Sequence, residues 1–540
     1  MLQTAPGTLS TCFKRHASKY RSKFIAKKSP FPSSKHTDFA SRSKAKSSTK
    51  GSNSTTTGSL PPYKFGSYSA LTLPSEKDRD GIERLVSKVT EFNELKIKPE
   101  IREAMINELK ANTVLRSQNF ISPTKKAKTE NELNGLILRP TPIQTAAIKI
   151  INDKRMPGEF LKVFTLAAET GSGKTWAYLA PLLQQLLQGR EQQQIQQLLD
   201  TNTGATTPFI KHRSGIKSVI LVPTHELVDQ VFKTLEHLNE RLSLNIIKWD
   251  TDSNFKVFID HFKSGIDIMV TTPGKLHSLS TYDSIQHPRV IFGSISFCVV
   301  DEADTLMDES FIEETYSNLK FMNNLQTLLF ASATYPAKFN KTIAHLFPNS
   351  KNISTPSLHK IPKSIEFRII NASINPYKGS KMKALAQTLY AIHCDGTERG
   401  YEKRVIIFVN SKDDCKRVAL KLSSEYNHSN VKFISSEDSI DERKSKVESF
   451  VSPPKLLDDS SRPVLNVLIC TDLLSRGLNF QGIRNVILLD VPKNSADLVH
   501  RSGRTGRMNQ SGRVFMIINE QDKGHVKGLP KVLRNNRRLG

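Results

Sequence analysis

Short apolar runs recur through the middle of the chain, separated by amphipathic or polar stretches. Residues 160–166, 218–222, 266–271, 295–300 and 327–330 are each nearly continuous in Val, Ile, Leu, Phe and Cys. A continuous run, without polar alternation, is the pattern of a strand covered on both faces, as in a parallel sheet between helical layers. A second series follows at 405–409, 431–434, 465–470, 486–489 and 514–518. Two such series predict two similar α/β domains with parallel sheets. Helical patterning begins around residues 80–112. Residues 348–374 are mixed in composition and hold several prolines, which places the hinge there. The predicted division is an arm at 1–75, a first domain at 76–355, a linker at 356–378, a second domain at 379–520 and a tail at 521–540. Two polar stretches, 115–136 and the Gln-rich 184–208, read as surface excursions.

Composition changes this picture mainly at the ends. The chain of 540 residues is too long for one core and carries a net charge of +26. That balance favours an anionic polymer as partner. Residues 1–50 hold twelve Lys or Arg against the single acid Asp38, and the Ser, Thr, Gly and Pro content up to residue 75 predicts disorder. A basic, Ser-rich, acid-poor opening fits a mitochondrial targeting arm, hence the matrix; a disordered arm that binds RNA or directs entry to the nucleus or nucleolus is the alternative. The tail after Asp522 carries six more Lys or Arg, read as non-specific phosphate attraction. The five cysteines have no metal-ligand or redox spacing. No apolar stretch approaches the roughly 18 residues a membrane helix needs, so no membrane insertion is expected.

Chemistry enters at Ala168-Glu169-Thr170-Gly171-Ser172-Gly173-Lys174-Thr175, between a predicted strand and a predicted helix. Glycines there let backbone N–H groups turn toward phosphates. Lys174 reaches the β and γ phosphates, and the Thr175 hydroxyl suits Mg²⁺. Asp301-Glu302-Ala303-Asp304 follows a buried strand, so Asp301 lies at the strand's carboxyl end, where open α/β sheets bind ligands. Asp301 would hold Mg²⁺ through water, and Glu302 would orient and deprotonate the attacking water. Three arginines among glycines, Arg501, Arg504 and Arg507, lie in the second series. Guanidinium forks suit phosphate, so a triphosphate sandwiched between domains is the natural geometry.

These segments resemble, in order, the motifs of the DEAD-box RNA helicases. Asp-Glu-Ala-Asp is the family's name-giving motif. Arg139-Pro140-Thr141-Pro142-Ile143-Gln144 resembles the Q motif, in which Gln144 would read adenine, and Phe92 best matches the aromatic that packs the base. Pro223-Thr224-His225-Glu226-Leu227 and Thr272-Pro273-Gly274-Lys275-Leu276 resemble motifs Ia and Ib. Ser332-Ala333-Thr334 resembles motif III, residues 405–411 motif IV, Thr471-Asp472 with Arg476-Gly477 motif V, and residues 500–507 motif VI. The resemblance spans residues 92–518 and implies two tandem RecA-like domains, with ATP and Mg²⁺ as cofactors. It implies arginine fingers at Arg504 and Arg507, a ribose contact at Asn479, and coupling between ATP and RNA through Ser332, Thr334, Asp304 and His500. Backbone-directed RNA contacts are implied at Pro223, Thr224, Thr272, Pro273, Gly274, Lys275 and Thr471; such contacts position a strand without reading its sequence.

Several positions depart from the family pattern. Ala168 stands where the P-loop consensus begins with Gly. His225 and Lys275 each replace an Arg, losing a guanidinium fork. No double glycine is visible in residues 252–265. Asn479 replaces an Asp, and Ile440 a Gln three residues before Arg443. The residues expected to hydrolyse nucleotide are intact. The expected activity is RNA-stimulated ATP hydrolysis driving local strand separation by a monomer, resembling fungal mitochondrial members that act on organelle RNA. Ribosomal RNA or its precursor particles are the candidate client. An ATP-dependent RNA clamp, a DNA-directed helicase and a different P-loop NTPase remain open at this point.

Overall fold

The computed structural model of the protein describes residues 76–119, 138–153, 161–202, 215–280, 291–355, 357–398, 400–435, 437–457, 464–472, 480–506 and 511–539. The basic arm, residues 120–137 and 203–214, Arg476, Gly477, Asn479 and Arg507 lie outside them. Two parallel sheets organise the rest. The first contains β1 (Lys162–Ala167), β2 (Ile216–Leu221), β3 (Ile246–Trp249), β4 (Ile266–Thr271), β5 (Phe297–Val300), β6 (Thr327–Ser332) and β7 (Lys351–Ser354), in the order β3-β4-β2-β5-β6-β1-β7. The second contains β8 (Ile365–Asn371), β9 (Lys403–Phe408), β10 (Val431–Phe433), β11 (Leu465–Cys470), β12 (Ile483–Leu488) and β13 (Gly512–Ile518), in the order β10-β11-β9-β12-β13-β8. Every pairing within them is parallel.

Each sheet is covered on both faces. Phe164, Leu166, Ile220, Ile268 and Val299 enter one core of the first domain, while Val163, Val219, Met269, Cys298 and Leu328 enter the other. The second sheet splits the same way, with Ile406, Leu468 and Val486 on one face and Val405, Val467 and Ile487 on the other. This explains the unbroken apolar runs, since successive side chains point to opposite faces and both are dry.

Three strands were not expected, and their positions say why. β3 and β7 are the edges of the first sheet, and β8 is an edge of the second. An edge strand keeps one side open to solvent, so it tolerates charge and lacks a continuous apolar signal. β8, with Glu366 and Arg368, falls inside the expected linker 356–378, yet it pairs along its length with β13. The connection between sheets is therefore the shorter stretch from Thr355 to Ser364. The tail is corrected as well. Helices Lys523–Val526 and Leu529–Arg534 bury Val526, Leu529 and Val532, and Leu539 beyond them, against the second sheet's core. The Gln-rich stretch continues the helix Lys174–Asn202, and its first residues belong to the body of the domain. Gln184 is buried and accepts from the Lys98 backbone N–H, while Arg190 reaches Asp267 and the Leu242 and Ser243 carbonyls.

Candidate active site

Because the strands of the first sheet are parallel, their carboxyl ends share one edge. β1 runs into the P-loop, β5 into Asp301 and β6 into Ser332. β1 and β6 are adjacent, and the Ala168 N–H donates to the Ser332 carbonyl at 3.2 Å. Ala168, at the variant position, is fully buried in this seam. Gly171 and Gly173 take φ of 79° and 85°, the left-handed region that favours glycine. A Cβ on Gly173 would lie 2.5 Å from Gln144 Nε2. Gln144 itself closes a capping box with Thr141, its Oε1 accepting from the Thr141 N–H at 2.9 Å, and its Nε2 donates to the Gly173 carbonyl at 3.4 Å. The Q-motif glutamine is thus seated against the phosphate loop. Phe92 is buried in the core on the same side, which also contains Ile143, so its ring is placed as a packing residue.

Lys174 opens the helix Lys174–Asn202, and its ammonium donates to the Ala168 and Glu169 carbonyls at 2.9 and 3.2 Å. Burial lowers its pKa, against the opposing pull of Glu302 and Asp301. Thr175 follows in the same first turn. Asp301 is pushed up to about 6 by burial and by the neighbouring Glu302, with Lys174 pulling the other way. One carboxylate oxygen of Asp301 accepts from the Glu302 N–H at 2.9 Å and the other from the Tyr178 hydroxyl at 3.0 Å. Glu302 is a non-glycine residue at φ 49°, ψ 47°, a strained conformation of the kind that clusters at functional sites. Its Oε2 is buried and has no hydrogen-bond partner among the described residues; the same holds for Ser172 Oγ. Glu169 needs a correction. Its carboxylate accepts from the Thr355 and Ser357 hydroxyls at 2.9 and 2.7 Å, so its side chain serves the connection between sheets and only its backbone lines the loop. An unshielded carboxylate beside a triphosphate would repel it, and these hydroxyls hold the charge aside.

Residues from the second domain complete the centre. The Thr334 hydroxyl donates to Asp304 Oδ2 at 2.6 Å, and His500 Nε2 lies 2.9 Å from the same oxygen. All three are buried, and the Thr334 N–H is held by Ser332 Oγ at 3.1 Å. The DEAD segment, motif III and motif VI therefore meet in one hydrogen-bonded node that spans both lobes. Next to it, a Cβ on Gly503 would fall 1.8 Å from Thr170 Oγ1, so motif VI backbone lies directly on the P-loop. Arg504 is buried, donates to the His500 carbonyl at 3.1 Å and is close enough to Lys174 to lower its pKa. Arg501 is the exception among the expected phosphate-facing arginines. Its guanidinium makes a fork with Asp472 at 2.7 Å on both oxygens, donates to Asn410 Oδ1 at 2.6 Å and reaches the Asp490 carbonyl at 3.1 Å. Asn410, Asp472 and Asp490 all follow strand ends of the second sheet, so Arg501 knits that edge together.

On the face expected to hold RNA, both threonines act as helix caps. Thr224 Oγ1 accepts from the Leu227 N–H and Thr272 Oγ1 from the Lys275 N–H, at 3.4 and 3.3 Å. Capping uses the oxygen as acceptor and leaves each hydroxyl proton available to a phosphate. Pro223 precedes the first cap, and Pro273, Gly274 and Lys275 form the first turn of helix Pro273–Ser280; Thr471 follows β11. His225, in place of the family arginine, is paired through Nδ1 with Asp250, in the turn directly after β3. Across the lobes, Arg443 lies 3.8 Å from Glu226, and Lys444 lies 3.3 Å from Asp229 and 3.5 Å from Asp252. Sequence reasoning missed Asp250 and Tyr178. The latter's i, i+4 spacing from Lys174 was the available signal, since it places both on one helical face.

Comparison with known proteins agrees with this geometry. Residues 141–343 match the DEAD/DEAH box helicase family, and residues 380–509 match the helicase conserved C-terminal domain. The chain is 40% identical over 513 residues to the ATP-dependent RNA helicase MRH4, mitochondrial, of Saccharomyces cerevisiae, covering 88% of this chain and 87% of that protein. It is 40% identical over 542 residues to the protein of the same name in Debaryomyces hansenii, covering 88% and 89%. The fold resembles that of Mss116p bound to ssRNA and AMP-PNP, with a TM-score of 0.59 at 20% identity over 83% of this chain and 78% of that one.

Proposed function

The chain belongs to the DEAD/DEAH box helicases, and from that premise we propose how its two lobes use ATP on RNA. It is an ATP-dependent RNA helicase, an ATP-hydrolysing enzyme. ATP sits between the P-loop and motif VI. Lys174 neutralises the β and γ phosphates, Glu302 takes the proton of the attacking water, and Arg504, with Arg507, stabilises the charge that develops on the transferred phosphoryl group. A hard divalent cation fits here: hydroxyl and carboxylate oxygens surround the loop, and Glu302 Oε2 is buried and unpartnered among the described residues. Thr175, and Asp301 through water, would hold Mg²⁺, which supplies charge neutralisation to the phosphates. The observation that carries the proposal is the buried Thr334–Asp304–His500 node. Opening the cleft breaks it, so RNA that stabilises the closed form also completes the hydrolytic centre.

The caps at Thr224 and Thr272, with Pro223, Pro273, Gly274, Lys275 and Thr471, line the strand's sugar-phosphate track, and Gln144 and Asn479 hold the nucleoside. Both named relatives are mitochondrial, and the twelve basic residues among the first fifty support the same compartment. The enzyme works as a monomer on organelle RNA, with ribosomal RNA or its precursor particles as client. Strand displacement on a short RNA duplex tests the reading. Displacement that requires ATP and RNA is expected, and a chain that retains RNA with ATP without separating strands is a clamp. ATP turnover stimulated more by DNA than by RNA of equal length would overturn the assignment.

A further inference from the structure

The connection between the sheets is fastened at three points. Its first residues bind the P-loop: the Thr355 N–H donates to the Ala167 carbonyl at 3.1 Å, and Thr355 and Ser357 hold the Glu169 carboxylate. Leu358 then enters a core of the first domain, while Ile361 enters a core of the second. Between them stands His359, which is fully buried and takes φ 64°, in the left-handed region. A large, non-glycine residue held there needs a compensating contact. His359 has two. Its ring Nε2 accepts from the Tyr335 N–H at 2.9 Å, and its backbone carbonyl accepts from the Leu539 N–H at 2.9 Å.

Tyr335 directly follows Thr334, whose hydroxyl bonds Asp304 beside His500. Leu539 is itself buried against the second domain. A continuous path therefore runs from the C-terminal segment, through one imidazole, to the node at which both lobes meet. The accepting role of Nε2 places the ring proton on Nδ1, which has no partner among the described residues. Burial, reinforced by nearby Arg538, lowers the ring's pKa to about 3, so Nε2 keeps its lone pair at any physiological pH.

We propose that His359 is a positioning residue for ATP–RNA coupling, by which the C-terminal segment and the inter-sheet connection fix Tyr335, and with it Thr334, in the register that forms the Asp304–His500 node. His359 touches neither nucleotide nor RNA, so its effect falls on RNA-stimulated turnover rather than on ATP affinity. The inference rests on the RNA-triggered closure proposed above.

The test compares full-length wild type with His359→Ala, which removes the acceptor, His359→Gln, which keeps one near the position of Nε2, and a chain lacking residues 538–540. Fluorescent-ATP affinity, basal ATPase, RNA-stimulated kcat and the melting temperature are measured for each. His359→Ala and the truncation are expected to lower RNA-stimulated kcat about five- to tenfold, as for loss of one buried hydrogen bond, with basal rate and ATP affinity unchanged. His359→Gln is expected to recover most of the stimulation. Unchanged stimulation in His359→Ala, or equal losses in the alanine and glutamine variants at wild-type melting temperature, overturns the proposal. If the alanine variant does not fold, recovery in His359→Gln together with loss in the truncation supports it, and any other combination overturns it. A wild-type enzyme without RNA stimulation is a different failure, that of the underlying function.

Discussion

At the scale of single residues, the centre works by holding charge in a strained, dry place. Glu302 combines a left-handed backbone with a buried, unpartnered oxygen among the described residues. Glu302→Gln should cut ATP turnover about 100-fold or more while ATP binding survives, because the amide cannot take the proton. Single-turnover hydrolysis beside fluorescent-ATP binding checks this, and equal losses in both would count against a base role. Tyr178 gives a subtler case. Its hydroxyl supplies the donor to one Asp301 oxygen. Tyr178→Phe leaves that buried oxygen with one donor fewer, so the Mg²⁺ concentration needed for half-maximal turnover should rise while the fold is kept. A magnesium titration of ATPase with a parallel thermal melt distinguishes the two effects. The functional residues visible in the sequence were those whose chemistry is local: the glycines and Lys174 of the loop, and the carboxylates after β5. Asp250 gave no local signal, because its role comes from His225 on another element; Tyr178 shares a helical face with Lys174, but its partner Asp301 lies far along the chain.

At the scale of elements, what the sequence displayed was burial. Central strands between two dry faces are mostly apolar, and nine of them were legible as such; of the edges only β10 was, through Val431, Phe433 and Ile434 around Lys432. The edge strands β3, β7 and β8 were not, because solvent on one side permits Lys248, Lys351, Glu366 and Arg368 among their residues. The tail looked like a basic appendage because its cations mask a short apolar series, Val526, Leu529, Val532 and Leu539, that meets the second core. The arginine of helix Ser495–Ser502 belongs to this scale too. Arg501 joins three strand ends through Asn410, Asp472 and the Asp490 carbonyl. Arg501→Ala should destabilise the second domain by about 3–5 kcal/mol in chemical denaturation, since it strands a carboxylate and deletes a buried fork. Glu398 offers a pH test of the same domain. Burial raises its pKa from the ordinary 4.5 to about 7, so the folded state binds the extra proton between those values. Its contribution to stability is full below about 4.5 and is lost as pH rises through 7. Glu398→Gln should flatten that part of the stability profile, measured by denaturant midpoints from pH 4.5 to 8.

At the scale of the whole molecule, two similar sheets become one enzyme only where they touch. The contacts are few and unequal. The ion pairs of Lys444 with Asp229 and Asp252 are partly exposed, and each contributes about 1 kcal/mol or less, while Arg443 and Glu226 are more buried and stand 3.8 Å apart. The buried node and the fit of Gly503 on Thr170 set the geometry. Gly503→Ala should therefore hold the lobes apart without unfolding either, because its Cβ would overlap the Thr170 side chain. The central claim is that ATP and RNA together close the two lobes on one triphosphate. Its most direct test is the inter-lobe distance, read by single-molecule energy transfer between dyes at Val257 and Leu420, both exposed, in a chain with Cys12 and Cys394 replaced. A short, high-transfer distance is predicted only when a non-hydrolysable ATP analogue and single-stranded RNA are both present, and it should be lost in Gly503→Ala. A distance that stays the same with neither, either or both ligands would contradict the account.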